Sequence, residues 1–249
     1  MIPAIVTCVL GSVAQAEESA EAFISAVEAA HGRDAWYRKA AFQARVSVAG
    51  LNGTMLFRTN LGASRLELDD GTVAVFDGRA AWVSPAAATL KGARFHLLTW
   101  PYFAALPMKL RDPGAHVAVI GMRKMGGKSY MAARLTFDPG VGDTPEDWYV
   151  LYRDADSGRL ATAAYIVTYG KARADAEREP HAMEYSDFVD VDGVSIATSW
   201  AMRHWSEEKG VYGKPLGKGK LTELRFVDPA PEAFARPKDA REDALPARP

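Results

Sequence analysis

The feature that most constrains this chain is a change of period. Beyond residue 40 the side chains alternate in character along one stretch after another, and glycine-bearing dipeptides cut those stretches at short intervals. A period of two marks a strand with one face indoors, and turns spaced about ten residues apart suit antiparallel neighbours. The strands expected on this basis are 42–49, 54–59, 64–68, 72–76, 80–83, 116–122, 129–137, 148–153, 160–169, 181–191, 194–204 and 218–227. Asn52-Gly53 is the strongest hairpin signal, so the first turn is expected there. Asp70-Gly71, Asp77-Gly78, Gly126-Gly127, Ser157-Gly158 and Asp192-Gly193 punctuate the rest of the meander. A sheet of about a dozen strands cannot stay flat and exposed; it curls, and its concave face must be filled by side chains, a helix or a ligand.

Helices are few. Ala22, Phe23, Ala26, Val27 and Ala30 recur at helical spacing, His31-Gly32 stops that helix, and a further turn is expected over 34–39. The other candidate is the run RFHLLTWPYFAALPMKLRDPG at 94–114, too apolar for a surface loop and interrupted by Pro101 and Pro107. Two prolines prevent one long rigid helix, so a short, kinked, greasy element is expected. It is either a core helix between strands or a lid over a lipid-sized cavity.

Under the lid reading, the ligand-binding residues are Trp100, Tyr102, Phe103 and Met108 from the lid, with Tyr165, Trp200 and Met202 from the sheet. Along 194–204 the large residues Val194, Ile196, Thr198, Trp200, Met202 and His204 share one face, which belongs indoors. On the neighbouring strand His181, Met183, Tyr185, Asp187 and Val189 are expected on one side. Tyr185 and His204 are therefore the polar candidates, as a handle in a greasy cavity or as a satisfied buried cluster. A cofactor-free hydrolase using Asp187 with His181 or His204 is the first rival. A sensor or scaffold binding an envelope protein through a sheet edge or the Trp100 region is the second.

Composition narrows the field. Hydrophobic residues make up 48% of the chain, which excludes disorder, and 30 basic residues against 31 acidic ones leave no net field to attract nucleic acid. The single cysteine, Cys8, permits neither an internal disulfide nor a thiolate metal site. There is no HExxH, paired CxxC, phosphate-cradling glycine loop or GxSxG elbow, and the five histidines form no ligand set, so no catalytic residue, metal or cofactor is assigned. Asp138, Asp143, Glu146 and Asp147 share one glycine- and proline-shaped loop; oxygen ligands suit calcium, but the spacing is not that of an EF-hand, and a structured turn is the alternative. Residues 1–16 read as an export signal, an apolar run closed by Ala14-Gln15-Ala16, although nothing basic precedes it. No other stretch reaches the roughly twenty apolar residues needed to span a bilayer. A single domain is expected over 17–235, followed by a flexible proline-rich tail over 236–249.

The motifs RFHLLTWPYFAALPMKLRDPG, FDPGVGDTPEDWYVLY, AAYIVTYGK and EPHAMEYSDFVDVDG resemble those of an exported bacterial family of unknown function, itself similar in architecture to the LolA and LppX lipoprotein carriers. That resemblance spans 31–234. It implies an α+β fold: a strongly curved antiparallel β-sheet, a half-barrel of roughly eleven strands, with helices covering its concave face. It also implies a periplasmic or otherwise exported protein that shelters a lipid or another hydrophobic small molecule.

Overall fold

The computed structural model describes residues 18–247, so the expected export signal and Cys8 lie outside the described residues. Among the described residues, thirteen antiparallel strands form one curved, unclosed sheet. The first five, β1 (Ala41–Val48), β2 (Leu51–Arg58), β3 (Ser64–Leu68), β4 (Val73–Phe76) and β5 (Ala81–Ser84), step outward in chain order. The chain then leaves that edge through helix α3 (Ala93–Ala105), after α1 (Ala20–His31) and α2 (Arg33–Tyr37), and enters the sheet again at its opposite edge. From there β6 (Ala115–Met125), β7 (Lys128–Phe137), β8 (Tyr149–Asp154), β9 (Leu160–Tyr165), β10 (His181–Val191), β11 (Val194–Ser206) and β12 (Gly210–Val227) step back inward. The two meanders meet where β12 pairs with β1. A short helix α4 (Arg173–Ala176) lies between β9 and β10, and β13 (Arg241–Glu242) pairs outside β5.

The helices fill the concave face, and one hydrophobic cluster joins Phe23, Val27 and Trp36 to Leu97, Trp100 and Phe103 and to both halves of the sheet. Helix α1 starts where Ser19 Oγ accepts the Ala22 N–H at 3.1 Å, an N-cap of the usual kind. It ends at His31, whose ring is buried between strands: the Leu160 N–H donates to Nε2 at 3.0 Å, and Nδ1 donates to the Ser195 carbonyl at 2.9 Å. Because Leu160 donates to Nε2, the ring must be neutral with its proton on Nδ1. Burial accordingly lowers its pKa from 6.5 to about 4.

Pro101 does not break α3; the helix runs through it. Proline lacks the N–H that would bond the carbonyl four residues back, which is that of Leu97. Ser64 Oγ, on β3, donates to this Leu97 oxygen at 2.6 Å in a buried contact. A side chain of the sheet thus supplies the hydrogen bond the proline removes, and an apolar helix with a central proline persists.

The first turn is not at Asn52-Gly53. Val48 pairs directly with Leu51, so the two-residue loop is Ala49-Gly50, both at positive φ (51° and 81°), as a type I′ turn requires. Gly53 instead sits inside β2, where a β-carbon would lie 2.2 Å from the Glu67 carbonyl oxygen of β3. The register follows aromatic packing: Phe42 pairs with Phe57 across β1 and β2, their rings 5.6 Å apart, and both lie against Trp36. The other five glycine dipeptides fall between strands as expected.

Two further expectations are corrected. Asp187 adopts φ 52°, which swings the inward alternation of β10 over by one residue. Tyr185 is buried, but beyond Asp187 it is Phe188, not Val189, that packs inward, 5.7 Å from the His31 ring. The tail is not loose over its length: β13 pairs with β5, the Asp243 N–H donates to Ala81 O at 2.8 Å, and Arg241 donates to the carbonyls of Ala88 and Leu90.

A candidate ligand cleft beside helix α3

Helix α3 cannot satisfy its sequence with one buried face. Leu97, Trp100 and Phe103 are buried in the main cluster, while Phe95, Leu98 and Tyr102 line a cleft of about 330 Å³ between the helix and the β7–β9 side of the sheet. Phe137 at the end of β7, Tyr149 on β8 and Tyr165 on β9 form the opposite wall. The rings interlock: Phe103 meets Tyr165 edge-on at 4.9 Å, Tyr102 lies 5.6 Å from Tyr149, and Phe137 stands T-shaped to Tyr149 at 6.1 Å. Edge-to-face contacts of this kind orient rings as well as bury them. Leu61 and Phe76 reach the cleft from the first meander, and Val167 and Tyr169 from the segment after β9.

The rim is the acidic loop between β7 and β8. Its carboxylates do not converge on a shared cation position. Asp138 pairs with His116 at 2.7 Å; Asp143 holds Arg94 Nε and Nη2 at 2.6 and 2.9 Å; and Asp147 accepts from the Thr168 N–H, the Thr168 hydroxyl and the Thr144 hydroxyl. Burial raises the pKa of Asp147 against those hydrogen bonds. The structured turn, rather than the calcium loop, is what these contacts describe. Arg94 also fastens the start of α3, because its backbone N–H donates to Asp243 at 2.9 Å and its side chain to the Arg79 carbonyl. At the other end, the Tyr185 hydroxyl donates to the Phe103 carbonyl at 3.1 Å.

Of the nine expected ligand residues, Tyr102, Phe103 and Tyr165 line this cleft. Trp100 and Met108 are buried core, and so are Tyr185 and Trp200, which pack edge-on at 6.4 Å. Met202 touches the core only in part, and His204 is exposed between the rings of His181 and Tyr212. The hydrolase constellation is not assembled: Asp187 is exposed and bonded to Ser199 and Lys220, while His181 and His204 stack on each other at 6.1 Å. Sequence reasoning missed Tyr149, Phe137 and Leu98. Tyr149 carries no alternation signal because β8 is buried on both faces, its outer side packed with Trp148, Val150 and Tyr152 in a second cluster around Trp205.

No protein-family model matches the chain, and no curated protein sequence matches it significantly. Its backbone is similar to that of a LolA superfamily protein from Nitrosomonas europaea, at 13% identity, a TM-score of 0.54 and coverage of 88% of this chain and 99% of that one. A DUF1329 family protein from Desulfovibrio piger covers 88% of this chain and 98% of its own at 12% identity, with a TM-score of 0.46. The chain therefore has a LolA-like fold: a curved antiparallel sheet with helices on its concave side.

Proposed function

We propose that this LolA-like chain is an exported binding protein of the cell envelope that holds a lipid or another hydrophobic small molecule in the cleft beside α3. The observation that carries the reading is the cleft itself, an aromatic and aliphatic cavity between a helix and a curved sheet. Clefts that bind small molecules span about 300–1,000 Å³ and are mostly apolar with few polar groups. At about 330 Å³ this one suits a single chain rather than a multiply acylated cargo. Affinity would come from burial, about 25 cal/mol per Å² before ordering costs. Among the described residues no helix is long and apolar enough to cross a bilayer. The test has two arms. Native mass spectrometry of protein recovered from its host is expected to show a co-purified lipid-sized adduct, and N-phenyl-1-naphthylamine is expected to brighten on binding. Absence of both the adduct and the fluorescence would overturn the proposal. Sequencing the N-terminus of the same material is expected to start at Glu17; an uncleaved product would remove the export claim.

A further inference from the structure

The lining of the cleft contains two carboxylates, Asp143 and Asp147, and no lysine, arginine or histidine. Both carboxylates already have partners. Arg94 grips Asp143 through two nitrogens, and Asp147 takes three hydrogen bonds from Thr144 and Thr168. The remaining polar groups are uncharged: two threonine hydroxyls and the phenols of Tyr102, Tyr149, Tyr165 and Tyr169. Burial raises the pKa of all four phenols, so they remain protonated donors at neutral pH.

Charge then discriminates between ligands that are equally greasy. A carboxylate or phosphate entering the cleft gives up its hydration, meets the Asp147 carboxylate, whose three partners are neutral, and finds Arg94 behind the wall already engaged by Asp143. A quaternary ammonium also gives up hydration, and although aromatic faces favour it, Arg94 already neutralises Asp143, which leaves Asp147 alone on the wall to balance its charge. A hydroxyl or ester loses the least hydration and can accept from a phenol. Resting on the lipid-binding reading above, we infer that the cleft selects an amphiphile whose polar end carries no charge, a long-chain alcohol or acyl ester rather than a fatty-acid anion.

The full chain is titrated at pH 7.5 with N-phenyl-1-naphthylamine, and the dye is displaced by dodecanol, methyl dodecanoate, dodecanoate or dodecyltrimethylammonium. These share one chain length and differ at the head. Dodecanol and the methyl ester are expected to compete at concentrations at least about tenfold below those needed for dodecanoate or the ammonium, since only the charged heads lose strong hydration. Asp143→Asn takes from Arg94 its carboxylate partner and is expected to narrow the gap between dodecanoate and dodecanol. Dodecanoate or the ammonium competing as well as dodecanol in the wild type would overturn the inference while leaving the lipid-binding reading in place. A dye that never binds, with no competitor retained, would remove both.

Discussion

Acidification should loosen this fold through one ring. His31 closes α1, is 2% exposed, and links two strands as a neutral imidazole whose pKa falls from 6.5 to about 4, chiefly because burial penalises the charged form. Protonation would place a second N–H at Nε2 against the Leu160 N–H, so the unfolded chain takes up that proton more readily than the folded one. The ring's contribution is therefore complete above about pH 6.5 and is lost as pH falls toward 4. A fall from 6.5 to about 4 corresponds to about 3 kcal/mol in full, of which about 2 kcal/mol is already gone at pH 5. That is a large share of the roughly 5–15 kcal/mol typical of a domain. Urea unfolding of the wild type and of His31→Gln, measured from pH 7.5 to 4.5, isolates the term, because every other group titrates in both proteins. The variant is expected to be less stable at pH 7.5 and the two curves to converge by about 2 kcal/mol at pH 5. Parallel curves, or a His31 ring that titrates near 6.5 by NMR in the folded protein, would refute the reasoning.

Ser64→Ala is expected to cost about 1–3 kcal/mol by stranding the Leu97 carbonyl, and less in a Pro101→Ala background, where a helical N–H returns to that oxygen; additive costs in a thermal-melt double-mutant cycle would contradict this. Even alanine at Gly53 is expected to destabilise, by about 1–3 kcal/mol for overpacking against β3, whereas Ala49→Asn is expected to raise stability by about 1 kcal/mol at a positive-φ turn position; denaturant melts of the two variants check both signs. Phe103→Ala is expected to cost about 3–5 kcal/mol of folding free energy as well as dye binding, because the ring belongs to both core and cleft. Leu98→Ser, on the half-exposed side of α3, is expected to weaken dye binding about tenfold, the scale of one lost apolar contact surface, with little change in melting temperature.

Much of the sheet was legible because its cause is local. Period-two alternation and positive-φ glycines act within a few residues, and strands such as β3 and β7 fall where that pattern puts them. The misreadings arise where a distant contact outweighs a local preference. Asn52-Gly53 carries the better turn chemistry, yet pairing Phe42 with Phe57 around Trp36 sets the register and moves the turn to Ala49-Gly50. Pro101 reads as a helix interruption, and nothing near it announces that Ser64 will serve the freed carbonyl. The site was visible by its apolar helix but not by its far wall. Tyr149 and Phe137 flank an acidic loop whose charge drew attention to cations, when its role is to brace the rim of a cleft.

The seam between β1 and β12 has a consequence for how the molecule comes into being. Ala41 pairs with Val227, and most of the described chain lies between them. Each meander can zip from neighbour to neighbour, but the middle of the sheet stays open until the last long strand is available. Distant pairings of this kind slow folding and leave unpaired edges exposed in the interval. If the chain crosses a membrane N-terminus first, the edge of β1 turned away from β2 waits unpaired for the whole time that β6 to β12 take to follow. The β1 edge is then where a chaperone in the receiving compartment would have most to protect.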